Sequence, residues 1–150
     1  MNPKNPRKLP GSPDEWLDHA RSDLNLARLA AGDASIRPEQ ACFHAQQAVE
    51  KAIKAVLLSR QVGFPLTHDI EELLELVEES GLPVPKAVEN AGLLTPYAVE
   101  TRYPGYWLDV PGLMSMKPCE LQNLCSFGSI AYWLQVEEKN GERASPSSLD

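Results

Sequence analysis

The sequence is sparing with the residues that make common sites easy to read. Among 150 residues there are three cysteines, Cys42, Cys119 and Cys125, which form neither a Cys-x-x-Cys pair nor a Cys/His cluster at zinc spacing. No structural zinc is implied, and an odd thiol count suits a reducing compartment. No stretch approaches the roughly 20 apolar residues of a membrane helix, and the polar, proline-rich start from Met1 to Gly11 lacks the apolar core of a signal peptide. The chain is therefore expected in the cytoplasm. Bases are also scarce: 14 Lys and Arg against 21 Asp and Glu leave a formal charge of −7. That balance runs against broad binding of duplex DNA, which needs many phosphate contacts. Gly-x-Gly-x-x-Gly, P-loop, Gly-x-Ser-x-Gly and His-Glu-x-x-His motifs are all missing, so the familiar cofactor and hydrolase signatures are excluded and no cofactor is expected. Nor does any segment alternate apolar and polar residues long enough to make a strand.

What remains is helical. With 43% apolar and 23% charged residues the chain has the composition of one globular domain. We place that domain at 12–139, between a disordered leader (1–11) and a flexible Ser/Pro-rich tail (140–150). The 13 prolines fall almost entirely between periodic segments and so mark helix ends. Ser12, Pro13 and Glu15 form a capping box ahead of a stripe of Trp16, Ala20, Leu24, Ala27 and Ala31, with Gly32 as the stop. Pro38 opens a second, central helix to about Arg60, in which Cys42, Ala45, Val49, Ala52 and Val56 alternate by three and four, and Ala41, Ala48 and Ala55 widen the stripe. A third, short helix starts at Asp69 and stops at Gly81; its six carboxylates from Asp69 to Glu79 have no base among them. A fourth covers Lys86 to Arg102, with a kink or a Thr95-capped restart at Pro96. After a long loop, Tyr103 to Lys117, a last helix runs from about Pro118 to Lys139. The expected fold is all-α, an antiparallel up-and-down bundle of four main helices plus a short extra one.

Candidate chemistry lies on the second helix. At about 100° per residue, His44, Gln47, Lys51 and Lys54 fall within roughly one quarter of its circumference, opposite the Cys42, Ala45 and Val49 stripe. This row offers an imidazole, an amide and two ammonium groups, which either form a solvated face or bind phosphate and a base edge. A central helix has little free surface, so polar groups there need partners or a ligand. Arg102 and Tyr103 precede the Pro104-Gly105 turn; Arg102 either neutralises carbonyls at a helix C-terminus or presents its planar fork to phosphate. His19, His44 and His68 lie on different elements, so no metal site is expected.

Three separated segments carry a resemblance. Cys42-Phe43-His44-Ala45-Gln46-Gln47-Ala48-Val49-Glu50-Lys51-Ala52-Ile53-Lys54-Ala55, then Phe64-Pro65-Leu66-Thr67-His68-Asp69-Ile70 with Leu73-Leu74, then Tyr97-Ala98-Val99-Glu100-Thr101-Arg102-Tyr103-Pro104-Gly105, together resemble the HEPN domain family. The resemblance implies a helical bundle, usually dimeric, often encoded beside a minimal nucleotidyltransferase as a toxin and antitoxin pair. It implies either metal-independent RNA cleavage or binding of nucleotide or RNA without cleavage. Ribonuclease members carry Arg, four to six residues, then His on a later helix. Here Arg37 and His44 satisfy that spacing but open the second helix, Arg60 and His68 miss it by one residue, and no histidine follows Arg102. The sequence therefore reads as the branch without the ribonuclease motif.

The leading expectation is a module that binds a nucleotide, RNA or a cognate minimal nucleotidyltransferase through His44, Gln47, Lys51, Lys54, His68, Arg102 and Tyr103. In it the lysines and Arg102 take phosphate, while Gln47, His44 and Tyr103 take base or ribose. Two alternatives stand beside it. One is a dimeric endoribonuclease using His44 with Arg37 or Arg102 and leaving a 2′,3′-cyclic phosphate. The other is a pure interaction module, with the acidic third helix and Tyr106-Trp107-Leu108 as a dimer or partner surface.

Overall fold

A computed structural model describes residues 11–84 and 86–98. Every regular element among them is helical: α1 (Pro13–Ala31), α2 (Pro38–Ser59), α3 (Ile70–Glu79) and a 3-10 helix (Lys86–Ala98). The expected last helix, the loop before it, and the Arg102-Tyr103 turn lie outside the described residues, as do the first ten residues and the tail.

Local chemistry fixes the ends of each helix. The Glu15 amide donates to Ser12 Oγ at 3.3 Å while the Ser12 amide donates to Glu15 Oε2 at 2.7 Å, so the expected capping box closes around Pro13. Gly32 is the C-cap of α1. The short link to α2 is organised by Asp33, whose Oδ1 accepts from the Ser35 amide and hydroxyl at 2.8 and 2.6 Å. Those two hydrogen bonds favour the ionised form and hold the Asp33 carboxyl below its usual range. Pro38 opens α2 with Arg37 at the N-cap position, where it makes no side-chain capping bond. At α3 the Asp69 carboxylate accepts from the amides of Glu71 and Glu72.

Pro96 has a different consequence from the one its sequence context implies. Residues 86–98 form a continuous 3-10 helix that contains Pro96, and the rest of the expected fourth helix, 99–102, lies outside the described residues. Thr95 does not cap its own element: its Oγ1 accepts from the Ile70 amide at 3.2 Å. That amide belongs to the first turn of α3, where no intrahelical acceptor exists, so a hydroxyl from the neighbouring element satisfies it.

Packing makes α2 the central helix. It lies against α1, α3 and the 3-10 helix. Its expected apolar stripe is buried, and so are Ile53 and Leu57 flanking it. On α1 the buried set is Leu17, Ala20, Asp23, Leu24, Ala27 and Ala30, while Trp16 and Ala31 are only half-buried. Alanine is frequent on both faces of this contact, which lets the helices approach closely. Direction follows from the cross-helix contacts: Asp23 meets His44, and Trp16, earlier in α1, meets Lys54, later in α2. The two helices are therefore antiparallel.

Candidate functional site

The polar row on α2 is only partly open to water: His44, Gln47 and Lys51 are half-buried and Lys54 is buried. It is covered by α1 on one side and by the α2–α3 loop on the other, and two carboxylates organise it. Asp23, the one acidic residue buried on α1, accepts from His44 Nδ1 at 3.2 Å through Oδ1 and from Lys51 Nζ through Oδ2. The bond to Nδ1 places the proton there and turns Nε2 of His44 away from the carboxylate. Phe43 packs edge-on against the same imidazole, its ring centroid 5.2 Å away.

Glu50 forms the second centre. Its Oε1 accepts from Lys54 Nζ at 2.7 Å, its Oε2 from Gln46 Nε2 at 2.8 Å, and His68 Nδ1 reaches both oxygens at 3.1 Å. Gln47 joins the chain by donating to Gln46 Oε1 at 2.7 Å. Burial opposes the charge on Glu50 and is the largest single influence. The hydrogen bonds from Lys54, Gln46 and His68, with the Lys54 charge, outweigh it and hold the carboxyl below its usual range.

Lys54 is thereby enclosed. It is 6% exposed, donates also to the Thr67 carbonyl at 2.9 Å, and lies 6.0 Å from the Trp16 ring centroid and 5.8 Å from that of Phe64. A carboxylate, a carbonyl and two aromatic rings supply what water would otherwise supply to an ammonium. The phosphate role that the sequence assigns to Lys54 would require breaking this shell.

Of the residues singled out in the sequence, His44, Gln47, Lys51, Lys54 and His68 are brought to one edge of the α1/α2 hairpin. Arg37 is set apart: its guanidinium pairs with Glu39 at 3.4 Å, about two helical turns or some 10 Å along α2 from His44. Sequence reasoning overlooked Asp23, Gln46 and Glu50. Their signals are a carboxylate on the buried face of α1, set among Ala20, Leu24 and Ala27, and an i, i+4 run of Gln46, Glu50 and Lys54 on α2. Among the described residues no three His, Cys, Asp or Glu side chains gather as a metal site.

Next to Lys51 the surface opens into a cleft of about 530 Å³, lined by Gly11, Glu15, Trp16, Asp18, His19 and Lys51. Small-molecule sites commonly occupy roughly 300–1,000 Å³. None of the helices among the described residues is long and apolar enough to cross a membrane.

None of the curated proteins matches the chain. The crystal structure of TT1696 from Thermus thermophilus is 31% identical, covers 83% of this chain and 96% of its own, and superposes with a TM-score of 0.61. The crystal structure of ST0689, an archaeal HEPN homologue, is 24% identical over 85% of this chain and 98% of its own, with a TM-score of 0.60. The family model described as HEPN domain matches residues 13–120, and the chain belongs to that family.

Proposed function

We propose that this HEPN domain is a binding module for a nucleotide or a short RNA segment, working beside a cognate minimal nucleotidyltransferase as one half of a toxin and antitoxin pair, and that it does not cleave RNA. The observation that carries this reading is the pairing of two accessible imidazoles at the α2 face with buried carboxylates, His44 with Asp23 and His68 with Glu50. Groups held in this way are preorganised, so a ligand orders few side chains when it binds. His44 and Gln47 suit the hydrogen-bonding edges of a base or the hydroxyls of a ribose. Lys51, 25% exposed at its side chain, is the ammonium of the row nearest to solvent. Phosphate then falls mainly to Arg102, whose planar guanidinium fork suits it.

Calorimetric titration of purine and pyrimidine nucleotides and of a short single-stranded RNA into the wild type, Lys51→Ala and Arg102→Ala tests the reading. Saturable binding weakened in both variants is expected. Absence of binding to every ligand sinks the nucleotide half of the proposal. Failure to co-purify with a minimal nucleotidyltransferase encoded beside it sinks the partner half. Release of a 2′,3′-cyclic phosphate product from RNA by the wild type, lost in His44→Ala, would replace binding with cleavage.

A further inference from the structure

The cleft beside the first half of α1 has the wrong charge for phosphate. Among the described residues its walls hold two carboxylates, Glu15 and Asp18, one imidazole, His19, and one ammonium, Lys51, whose charge Asp23 already balances. Asp18 is 76% exposed at its side chain, and its contact with Arg21 at 3.3 Å is an exposed i, i+3 pair of small worth. Glu15 uses Oε2 for the Ser12 amide. The half-buried indole of Trp16, which has Lys54 Nζ 6.0 Å from its centroid, lines the same cleft. Gly11 also lines the cleft, with φ at +98°, and a Cβ there would sit 3.2 Å from Trp16 Nε1. Any side chain at position 11 would be both strained and pressed against the indole edge.

We propose that this cleft receives an arginine side chain from a partner protein. A guanidinium is planar and weakly hydrated, so it stacks on an indole while its fork of N–H donors reaches nearby carboxylates. Lysine has the charge without the plane, and a phosphate meets charge of its own sign. A formal charge of −7 over the whole chain favours encounter with a basic partner. The occupant is a protein side chain, so the inference stands whether or not the α2 face binds a nucleotide.

The test follows the indole N–H resonances of the ¹⁵N-labelled full chain, which has three tryptophans; the Trp16 signal is the one lost in Trp16→Phe. An acetylated, amidated Gly-Arg repeat peptide should shift that signal saturably. Glu15→Gln, which preserves the capping box, and Asp18→Asn should each weaken the effect by about two- to fivefold. An unmoved Trp16 signal, an equal shift with the citrulline version of the peptide, or a shift by short oligouridylate at lower concentration would each overturn the proposal. A response that appears only after Lys4, Arg7 and Lys8 are changed to alanine would overturn it too, by assigning the cleft to the chain's own basic leader.

Discussion

His68 spans both carboxylate oxygens of Glu50 at 3.1 Å, tying a loop side chain that is 62% exposed to one that is 6% exposed. With Lys54 bound to the same carboxylate and to the Thr67 carbonyl, the loop between α2 and α3 is fastened to the central helix at one point. A paired buried charge adds little net stability, but removing one partner strands the other. Glu50→Ala should therefore lower unfolding stability by about 3–5 kcal/mol, read from urea melts by circular dichroism. The double change Glu50→Leu with Lys54→Met removes both charges and should restore most of that loss. A double variant no more stable than Glu50→Ala would show that the loop needs the ion pair itself.

The same carboxylate sets a pH dependence. Burial pushes the Glu50 carboxyl up, but its hydrogen bonds and the Lys54 charge prevail and leave it below its ordinary value of 4.5. A group that titrates lower when folded stabilises the fold fully above its unfolded pKa and loses that contribution as pH falls through the folded value. Below pH 4.5 the wild type should thus lose stability more steeply than Glu50→Gln, in melts taken at successive pH values. Asp33 contributes with the same sign, but it is present in both proteins and drops out of the comparison. Parallel slopes would remove Glu50 as the source.

The end of α2 leads to a stabilising substitution. The Gln61 amide donates to the Leu58 carbonyl at 3.1 Å and that of Val62 to Leu57 at 2.9 Å, the double closure of a Schellman motif, with Gln61 at φ +58°. Gly81 plays the same part after α3: its amide reaches the Glu78 carbonyl at 2.9 Å, the Leu82 amide reaches Val77 at 3.3 Å, and its φ is +86°. Gln61→Gly should then stabilise by about 0.5–1 kcal/mol and Gly81→Ala destabilise by a similar amount, both measured by thermal melts. Gly63 has no neighbour within 4 Å of a Cβ and no left-handed φ, so Gly63→Ala serves as the control and should be neutral or slightly stabilising.

These motifs also show where the sequence is readable. Ser12, Pro13 and Glu15 announce α1 because every part of a capping box is local, and Gly81 announces the end of α3 because glycine is the usual residue for a left-handed turn. Gln61 adopts the same conformation without that signature, so the chemistry that ends α2 is hidden. The apolar stripe of α2 is legible because its three-four spacing records burial. Its polar row is harder to interpret, because spacing places His44, Lys51 and Lys54 on one face without saying what covers that face. The answer is Asp23, distant in sequence, together with the loop bearing Thr67 and His68. Thr95 illustrates the same limit: its position before Pro96 looks like a local cap, yet its hydroxyl serves Ile70 on another element. Contacts made within one helical turn can be read from order alone, whereas those between elements depend on how the helices pack.

Asp23 provides the most direct test of how the α2 face meets a ligand. It balances Lys51 and holds the His44 imidazole at once, so its charge opposes phosphate while its geometry favours recognition of base or ribose. Asp23→Asn keeps the size of the side chain and one acceptor oxygen but removes the charge. The fold should lose about 1–3 kcal/mol, because a half-buried ammonium is left with a neutral partner. If a nucleotide phosphate lies beside Lys51, the variant should nevertheless bind that nucleotide about three- to tenfold more tightly at low salt, with the gain shrinking as salt rises. Titration calorimetry at two ionic strengths measures both effects. Unchanged affinity at both would place the phosphate away from Lys51. Weaker binding at both would mean that the held position of His44 matters more to the ligand than the charge beside it.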